Sequence, residues 1–212
     1  MGVFSIRRKF PGSNIGKIRE LYCFISCVLR CIPMKKTIPS WQIGGFLFTS
    51  VLGTFLHFLF DLTGGSIPAA LVSAVNESIW EHLKLLFYPM FFFAWVEFFR
   101  WGKDSATFWC TKLKGILLGL LLIPMVYYTY TGILGVSADW FNITIFFLAA
   151  AFAFRAETSW LQQQTPCPLG NRTALLMLFL ICALFTVLTF APPAIPFFED
   201  PITGTYGFQR AA

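Results

Sequence analysis

The sequence predicts an all-α protein of the polytopic membrane class: a bundle of about five transmembrane helices with one further helix that is interfacial or re-entrant. Three observations predict this class. Of the 212 residues, 57% are hydrophobic and only 12% are charged, whereas about a quarter of the residues of a soluble domain are charged. Five apolar runs approach the length needed to cross a bilayer. The basic residues are concentrated between alternate runs.

Charged or turn-forming residues bound each apolar run and define the predicted spans. The third span contains Pro124, which we expect to kink its helix, and the fourth is short and begins at an interfacial aromatic pair. The five predicted spans cover residues 43–62, 85–101, 115–134, 140–154 and 173–191.

Three segments outside the spans are distinct from them. Residues 1–33 form a basic N-terminal extension that is a candidate for disorder, and the transmembrane bundle covers residues 34–191. A helix of mixed polarity over residues 68–84 is too polar to span alone, so we expect it to lie in the interface or to re-enter the protein. Residues 192–212 form a Pro- and Gly-rich loop whose apolar residues favour packing over one end of the bundle.

The distribution of charge predicts the orientation. If the N-terminus is cytoplasmic, 14 of the 16 Lys and Arg residues fall in cytoplasmic segments, and the exceptions are Lys84 and Arg210. Six of the ten acidic residues fall on the opposite side. We therefore predict a multi-pass protein of the cell membrane with a cytoplasmic N-terminus and an extracytoplasmic C-terminal loop.

The same distribution bears on partners and on disulfides. The lipid bilayer is the predicted partner, and nucleic acid is excluded because the basic residues form no face interleaved with aromatics. Cys110 and Cys167 fall on the cytoplasmic side, where thiols stay reduced, so we expect no disulfide framework.

Ionisable side chains inside a membrane are costly, so each is a candidate functional group. His57 and Asp61 stand one helical turn apart near the outer end of the first span, on one face of the helix. They are placed to form an ion pair or to share a metal ion. The alternative is a structural pair that ties the end of the helix to the following turn.

The densest polar run is Asn-Glu-Ser-Ile-Trp-Glu-His-Leu-Lys at residues 76–84. On a continuous helix, Glu77, Glu81 and Lys84 share one stripe, and His82 occupies the neighbouring stripe. Two carboxylates one turn apart repel each other, so they require Lys84, a metal ion or a shared proton as a partner.

These residues define the predicted site. Five are candidate ligands of a divalent metal such as Zn or Mn: His57, Asp61, Glu77, Glu81 and His82. Three are candidate catalytic groups: Glu81, His82 and Lys84. The alternative is a solvated interfacial helix with an internal pair of Glu and Lys.

Polar residues elsewhere receive simpler interpretations. Asp139 and Asn142 are placed to add oxygen ligands to the same chamber, and Asp139 is alternatively a helix N-cap. Glu97 precedes Arg100 by about one turn near the cytoplasmic end of the second span, so we expect a snorkelling ion pair.

Three segments of the chain together resemble a known family. They are the His-Phe-Leu-Phe-Asp string of residues 57–61, the Ala-Val-Asn-Glu-Ser-Ile-Trp-Glu-His-Leu-Lys string of residues 74–84, and the tail of residues 192–207. In these segments the chain resembles the DUF6512 family of small bacterial multi-pass membrane proteins of unknown function. The similarity covers about residues 34–208, and the second string is specific. The resemblance implies a membrane location and no established activity.

The function predicted from these residues is a membrane-embedded, hydrolase-like reaction on a lipid or lipid-like substrate. The polar site would bind a metal ion or a proton, and Glu81 or Asp61 would act as the general base. Two alternatives stay open: a small cation- or proton-coupled transporter that binds its ion at the same residues, and a non-catalytic scaffold. A transporter also needs polar groups toward the cytoplasmic half of the bilayer, where the sequence offers few.

Overall fold

The computed structural model describes the backbone of residues 15–209 and the side chains of residues 37–209. Within this part, the chain forms six α-helices and a short 3₁₀ turn at Gly102–Asp104. The helices are α1 (Ile15–Leu62), α2 (Ile67–Val72), α3 (Ile79–Arg100), α4 (Phe108–Leu134), α5 (Asp139–Gln163) and α6 (Asn171–Phe190).

Five helical segments of the described chain are long and apolar enough to cross a membrane, which confirms the predicted number of spans. They are Thr37–Leu62 of α1 and the whole of α3, α4, α5 and α6. Large apolar side chains such as Val51, Leu121 and Leu180 are exposed on these helices. Such exposure is expected where hydrocarbon replaces water as the solvent. The protein is therefore an all-α, multi-pass membrane bundle.

The chain divides into two compact units, residues 1–37 and 38–212. In the first unit, the backbone is helical from Ile15 onward as the beginning of α1, whereas the sequence alone made residues 1–33 a candidate for disorder. Residues 1–14 of that extension and residues 210–212 of the predicted C-terminal loop lie outside the described residues.

The segment predicted as one helix over residues 68–84 is divided in the structure. α2 is short, residues 73–78 form a non-helical corner, and α3 then runs unbroken through the second span. Two serines set these boundaries: Ser66 and Ser78 cap α2 and α3, each accepting a hydrogen bond from a backbone N–H of the first turn. The predicted extent of this helix was therefore wrong, and residues 79–84 begin the second span.

α4 and α5 extend beyond their predicted boundaries at the end of the bundle that carries the basic loops, which we call the basic end. The apolar pattern stops early there because Lys112 on α4 and Glu157 on α5 are charged. Both side chains are fully buried and ion-paired with each other, so the helices continue inside the protein. The charge count had included Lys112 among the residues of the segments between spans, and this was wrong because Lys112 lies inside α4.

Small residues allow α4 and α5 to pack closely. Ala149, Ala150 and Ala153 of α5 are fully buried. A Cβ atom added to Gly119 of α4 would lie 3.5 Å from the Cβ of Ala153 and only 2.6 Å from Cδ2 of Leu86 on α3. Close approach of backbones over small residues is a main source of helix association in membranes, where the hydrophobic effect no longer distinguishes protein from solvent.

Candidate metal site

The predicted site residues lie at the opposite end of the bundle, which we call the loop end because the C-terminal loop packs there. The backbone N–H of Trp80 donates a hydrogen bond to the carbonyl of Phe197 over 3.2 Å, and the Trp80 ring lies 5.0 Å from the ring of Phe198. The Asn76 side chain donates to the carbonyl of Gly207 over 3.2 Å. The loop after α6 is therefore fastened to the corner before α3.

Three side chains from separate segments meet at this end: His57 of α1, Glu77 of the corner and His82 of α3. One possible ligand atom from each lies within 4.8 Å of the others. The Nε2 atom of His82 is 3.4 Å from Oε2 of Glu77, and Nε2 of His57 is 4.0 Å from Oε1 of Glu77. The two imidazole centroids are 5.2 Å apart. We call this group the His/Glu site.

The backbone carbonyl of Ser78, the N-cap residue of α3, fixes the tautomer of His82. Its Nδ1 atom lies 2.9 Å from the carbonyl oxygen of Ser78, which can only accept a hydrogen bond, so Nδ1 carries a proton. The Nε2 atom then faces the Glu77 carboxylate, and two unprotonated acceptors would repel each other. A proton or a metal ion between them removes this repulsion. A histidine that binds a metal through one ring nitrogen usually donates the N–H of the other ring nitrogen to a carbonyl or a carboxylate, as His82 does here.

The Glu77 carboxyl is stabilised in its ionised form by this ring. The hydrogen bond from protonated His82 lowers the pKa of Glu77, and burial acts in the opposite direction with a smaller effect. Because the pKa of the folded state is lowered, this contribution to stability is present above the ordinary pKa of a glutamate. It is lost as the pH falls through the lowered value.

The His/Glu site is partly open. The side chains of His57, His82 and Glu77 are 31%, 33% and 43% exposed, so a small ion or a substrate group can reach them. The Nδ1 atom of His57 is buried and makes no hydrogen bond within the described residues. Three protein ligands leave at least one coordination position free, which is the arrangement of catalytic zinc sites.

Glu81 and Lys84 form a separate, closed pair. Their side chains are 1% and 0% exposed, and Nζ of Lys84 lies 2.5 Å from Oε2 of Glu81. Nζ also donates to the Ala70 carbonyl over 2.9 Å and to the Thr189 hydroxyl over 3.0 Å, and that hydroxyl donates to Oε1 of Glu81 over 2.9 Å. Oε2 of Glu81 also accepts a hydrogen bond from the backbone N–H of Val75. The pair therefore links α3 to α2, to the corner and to α6.

The remaining predicted residues are not brought into the His/Glu site. Neither Asp61 nor Glu81 belongs to the group of three possible ligands. Asp61 is exposed, whereas Glu81 is buried. Asn142 accepts a hydrogen bond from the Tyr130 hydroxyl. Asp139 is the first residue of α5, and the N-cap position belongs to Ala138, so the N-cap interpretation was wrong. Of the five predicted ligands, the structure brings together three: His57, Glu77 and His82.

A second buried charge cluster lies at the basic end and was missed in the sequence. Lys112 of α4 contacts the carboxylates of both Glu97 on α3 and Glu157 on α5. The predicted pair of Glu97 with Arg100 was wrong, because Glu97 points into the bundle while Arg100 is exposed. The three residues are distant in sequence, so no local spacing could have revealed them.

A disulfide joins Cys110 in the first turn of α4 to Cys167 in the loop between α5 and α6. The two Cα atoms are 6.1 Å apart, although the residues are 57 positions apart in the sequence. The expectation of no disulfide was therefore wrong. It rested on the predicted cytoplasmic location of this end, and only the fold brings these two thiols into contact.

Five apolar spans with a polar site at one end define this protein as a small multi-pass membrane protein. The family model of DUF6512, described as a family of unknown function, matches residues 32–208. The chain therefore belongs to the DUF6512 family, as its three motifs indicated. Neither curated proteins nor solved structures give a match to it.

Proposed function

We propose that this protein binds a divalent transition-metal ion, such as Zn²⁺ or Mn²⁺, at the His/Glu site and uses it in a hydrolase-like reaction at the membrane surface. One observation carries the proposal: ligand atoms of two imidazoles and one carboxylate, from three separate segments, lie within 4.8 Å of one another. This ligand set is common in zinc hydrolases. The metal would supply a water molecule that ionises near neutral pH.

A lipid or lipid-like molecule is the substrate class that fits the surroundings. The His57 ring packs edge-on against Phe58 at a centroid distance of 4.9 Å, and the Phe58 side chain is exposed on the outer surface of a membrane-spanning helix. An amphiphile can therefore place its polar group at the site while its apolar chain stays in the bilayer.

Each predicted catalytic residue receives a proposed role from its position. His82 binds the metal together with His57 and Glu77. Glu81 and Lys84 are sealed from solvent and paired with each other, so they do not reach a substrate in this arrangement. We assign them to positioning, because their network fixes the first turn of α3 that carries His82.

Cation- or proton-coupled transport is the second candidate function. The buried cluster of Lys112, Glu97 and Glu157 at the basic end favours it, since a coupled permease needs ionisable groups on both sides of the bilayer. A non-catalytic scaffold is the alternative to both, and it requires no ion at either end.

We also propose that the protein lies in the cell membrane with a cytoplasmic N-terminus, so that the loop end is extracytoplasmic. The concentration of Lys and Arg in the segments assigned to the cytoplasm supports this orientation. It places the Cys110–Cys167 disulfide on the cytoplasmic side, where disulfides are uncommon, so the orientation rests on the charge distribution alone. The substrate or ion would then reach the His/Glu site from the extracytoplasmic leaflet.

The test is metal analysis of the purified protein in lipid nanodiscs. We expect about one equivalent of Zn or Mn per chain, lost in Glu77→Gln and in His82→Gln. The matched control is Asp61→Asn, which removes an exposed carboxylate at the same end but outside the site. Occupancy should also fall between about pH 7.5 and pH 5.5, because protons compete with the metal for imidazole.

Equal metal content in the wild type and both site variants would contradict the proposal, as would a wild-type protein that takes up no metal from added Zn²⁺ or Mn²⁺. The hydrolytic step is tested by mass spectrometry of a phospholipid extract incubated with metal-loaded protein. Cleaved products should appear with the wild type and with Asp61→Asn, and should be absent with His82→Gln.

A further inference from the structure

The cluster at the basic end is closed on all sides. Glu97, Lys112 and Glu157 come from α3, α4 and α5, and each is at most 1% exposed. Nζ of Lys112 contacts Oε2 of Glu97 and lies 2.5 Å from Oε2 of Glu157. It also lies 5.7 Å from the ring centroid of Phe108 and 5.8 Å from that of Phe154. The ammonium group is therefore surrounded by two carboxylates and two aromatic faces.

The charges of this cluster do not balance. Two carboxylates against one ammonium leave one excess negative charge in a place without access to water, and an uncompensated buried charge is strongly unfavourable. Among the side chains of residues 37–209, the other charged groups near this end do not compensate it. Lys114 bonds to the Pro166 carbonyl, and the following are exposed: Arg100, Lys103, Asp104, Arg155 and Arg172.

Two buried oxygen atoms in the cluster also lack partners. Gln42 of α1 is 2% exposed, and its Nε2 atom donates to Oε1 of Glu97 over 2.6 Å, yet its Oε1 atom accepts no hydrogen bond within the described residues. The Oε1 atom of Glu157 likewise has no partner. Buried acceptors are rarely left without a donor, so a donor or a cation is missing from this arrangement.

We propose that the Glu97–Lys112–Glu157 cluster is a proton-binding site in which the two carboxyl groups together hold one proton at neutral pH. A single proton neutralises the excess charge. On Oε1 of Glu157, it would also convert an unpartnered acceptor into a hydrogen-bond donor. It also requires almost no space, and the site offers little. A Cβ atom added to Gly115 of α4 would lie only 2.6 Å from Cδ of Glu157.

The proton belongs to the pair of carboxyl groups, because the two groups contact the same ammonium and their titrations are coupled. Removing either carboxylate leaves the other in a balanced ion pair with Lys112, so that no proton is needed. Removing Lys112 leaves two acidic groups without a counter-ion. Substituting either glutamate therefore abolishes proton binding, whereas substituting Lys112 strengthens it.

Infrared difference spectroscopy of the full-length protein in nanodiscs tests this directly. The wild type at neutral pH should show the carbonyl band of a protonated carboxyl group that shifts in D₂O. That band should be lost in Glu157→Gln and in Glu97→Gln, and retained in the control Asp104→Asn, an exposed carboxylate at the same end. Absence of the band from the wild type, or its persistence in both Gln variants, would overturn the proposal.

Thermal stability gives a second, independent measurement. Glu157→Gln imitates the protonated carboxyl and should melt within about 2–4 °C of the wild type, whereas Lys112→Met should melt far lower. A melting temperature that rises with Na⁺ concentration at constant ionic strength, and does so only when both glutamates are present, would overturn the proposal in favour of a bound metal cation.

Discussion

Replacing Lys84 with Met tests the buried pair that supports the His/Glu site. Met has a similar length and no charge, so the substitution removes one ammonium with little change in volume. The Glu81 carboxylate would then be left inside the bundle, with a side chain 1% exposed. Its remaining donors among the described residues would be the Thr189 hydroxyl and the Val75 N–H. Breaking a buried ion pair on one side costs about 3–5 kcal/mol of unfolding free energy.

The double variant Glu81→Gln with Lys84→Met separates charge from packing. It leaves no charge at either of these two positions, so its cost should be limited to the hydrogen bonds that Lys84 makes to Ala70 and Thr189, each worth about 1 kcal/mol. We therefore expect the double variant to be more stable than Lys84→Met alone. A coupling of several kcal/mol between the two positions follows from their direct contact.

Reversible unfolding by SDS in mixed micelles, followed by intrinsic Trp fluorescence, measures these differences. Lys103→Met is the matched control because Lys103 is exposed, and it should leave the unfolding free energy unchanged. A cost for Lys84→Met that is no larger than the cost for Lys103→Met would refute the reasoning. A double variant as unstable as the sum of its single variants would show that the pair is not coupled.

Two further predictions concern the packing and the covalent link at the basic end. Gly115→Ala should lower the unfolding free energy by about 1–3 kcal/mol in the same SDS assay, because the new Cβ overlaps the buried carboxyl group of Glu157. The control is Gly132→Ala on the same helix. Its new Cβ meets no atom within 4 Å, so this substitution should be neutral or slightly stabilising. Removing the disulfide with the double substitution Cys110→Ser and Cys167→Ser should lower the unfolding free energy by up to about 4 kcal/mol, because the bridge closes a loop of 57 positions. A reducing agent should lower the unfolding free energy of the wild type by the same amount and should have no effect on the double variant.

The number of spans followed from the sequence because each apolar run reports its own environment. Residues 43–62 and 173–191 were predicted close to the observed helices, since lipid requires an unbroken apolar surface along a helix. The boundaries were less accurate wherever charge is buried inside the protein. A hydropathy pattern cannot distinguish Lys112 in a loop from Lys112 in contact with Glu97 and Glu157, because the partners lie on other helices.

The candidate site was predicted in part for a similar reason. The polar run of residues 76–84 marked the correct segment, but treating it as one helix placed Glu77 and Glu81 on a common stripe. The Ser78 cap starts α3 after Glu77, so this carboxylate turns toward His57 while Glu81 faces Lys84. The capping oxygen was visible in the sequence, and its priority over helix continuation was the missed signal.

Sequence by itself determined that this chain resides in a bilayer, how many times it crosses, and which segment carries its densest polar groups. These properties are local, since each depends on the solvation of one continuous stretch of residues. The tertiary structure alone decided which charges become partners: Glu77 with two imidazoles, Glu81 with Lys84, and Lys112 between two carboxylates. Electrostatic pairing depends on distances of a few ångströms between residues far apart in the chain, and only helix packing sets those distances.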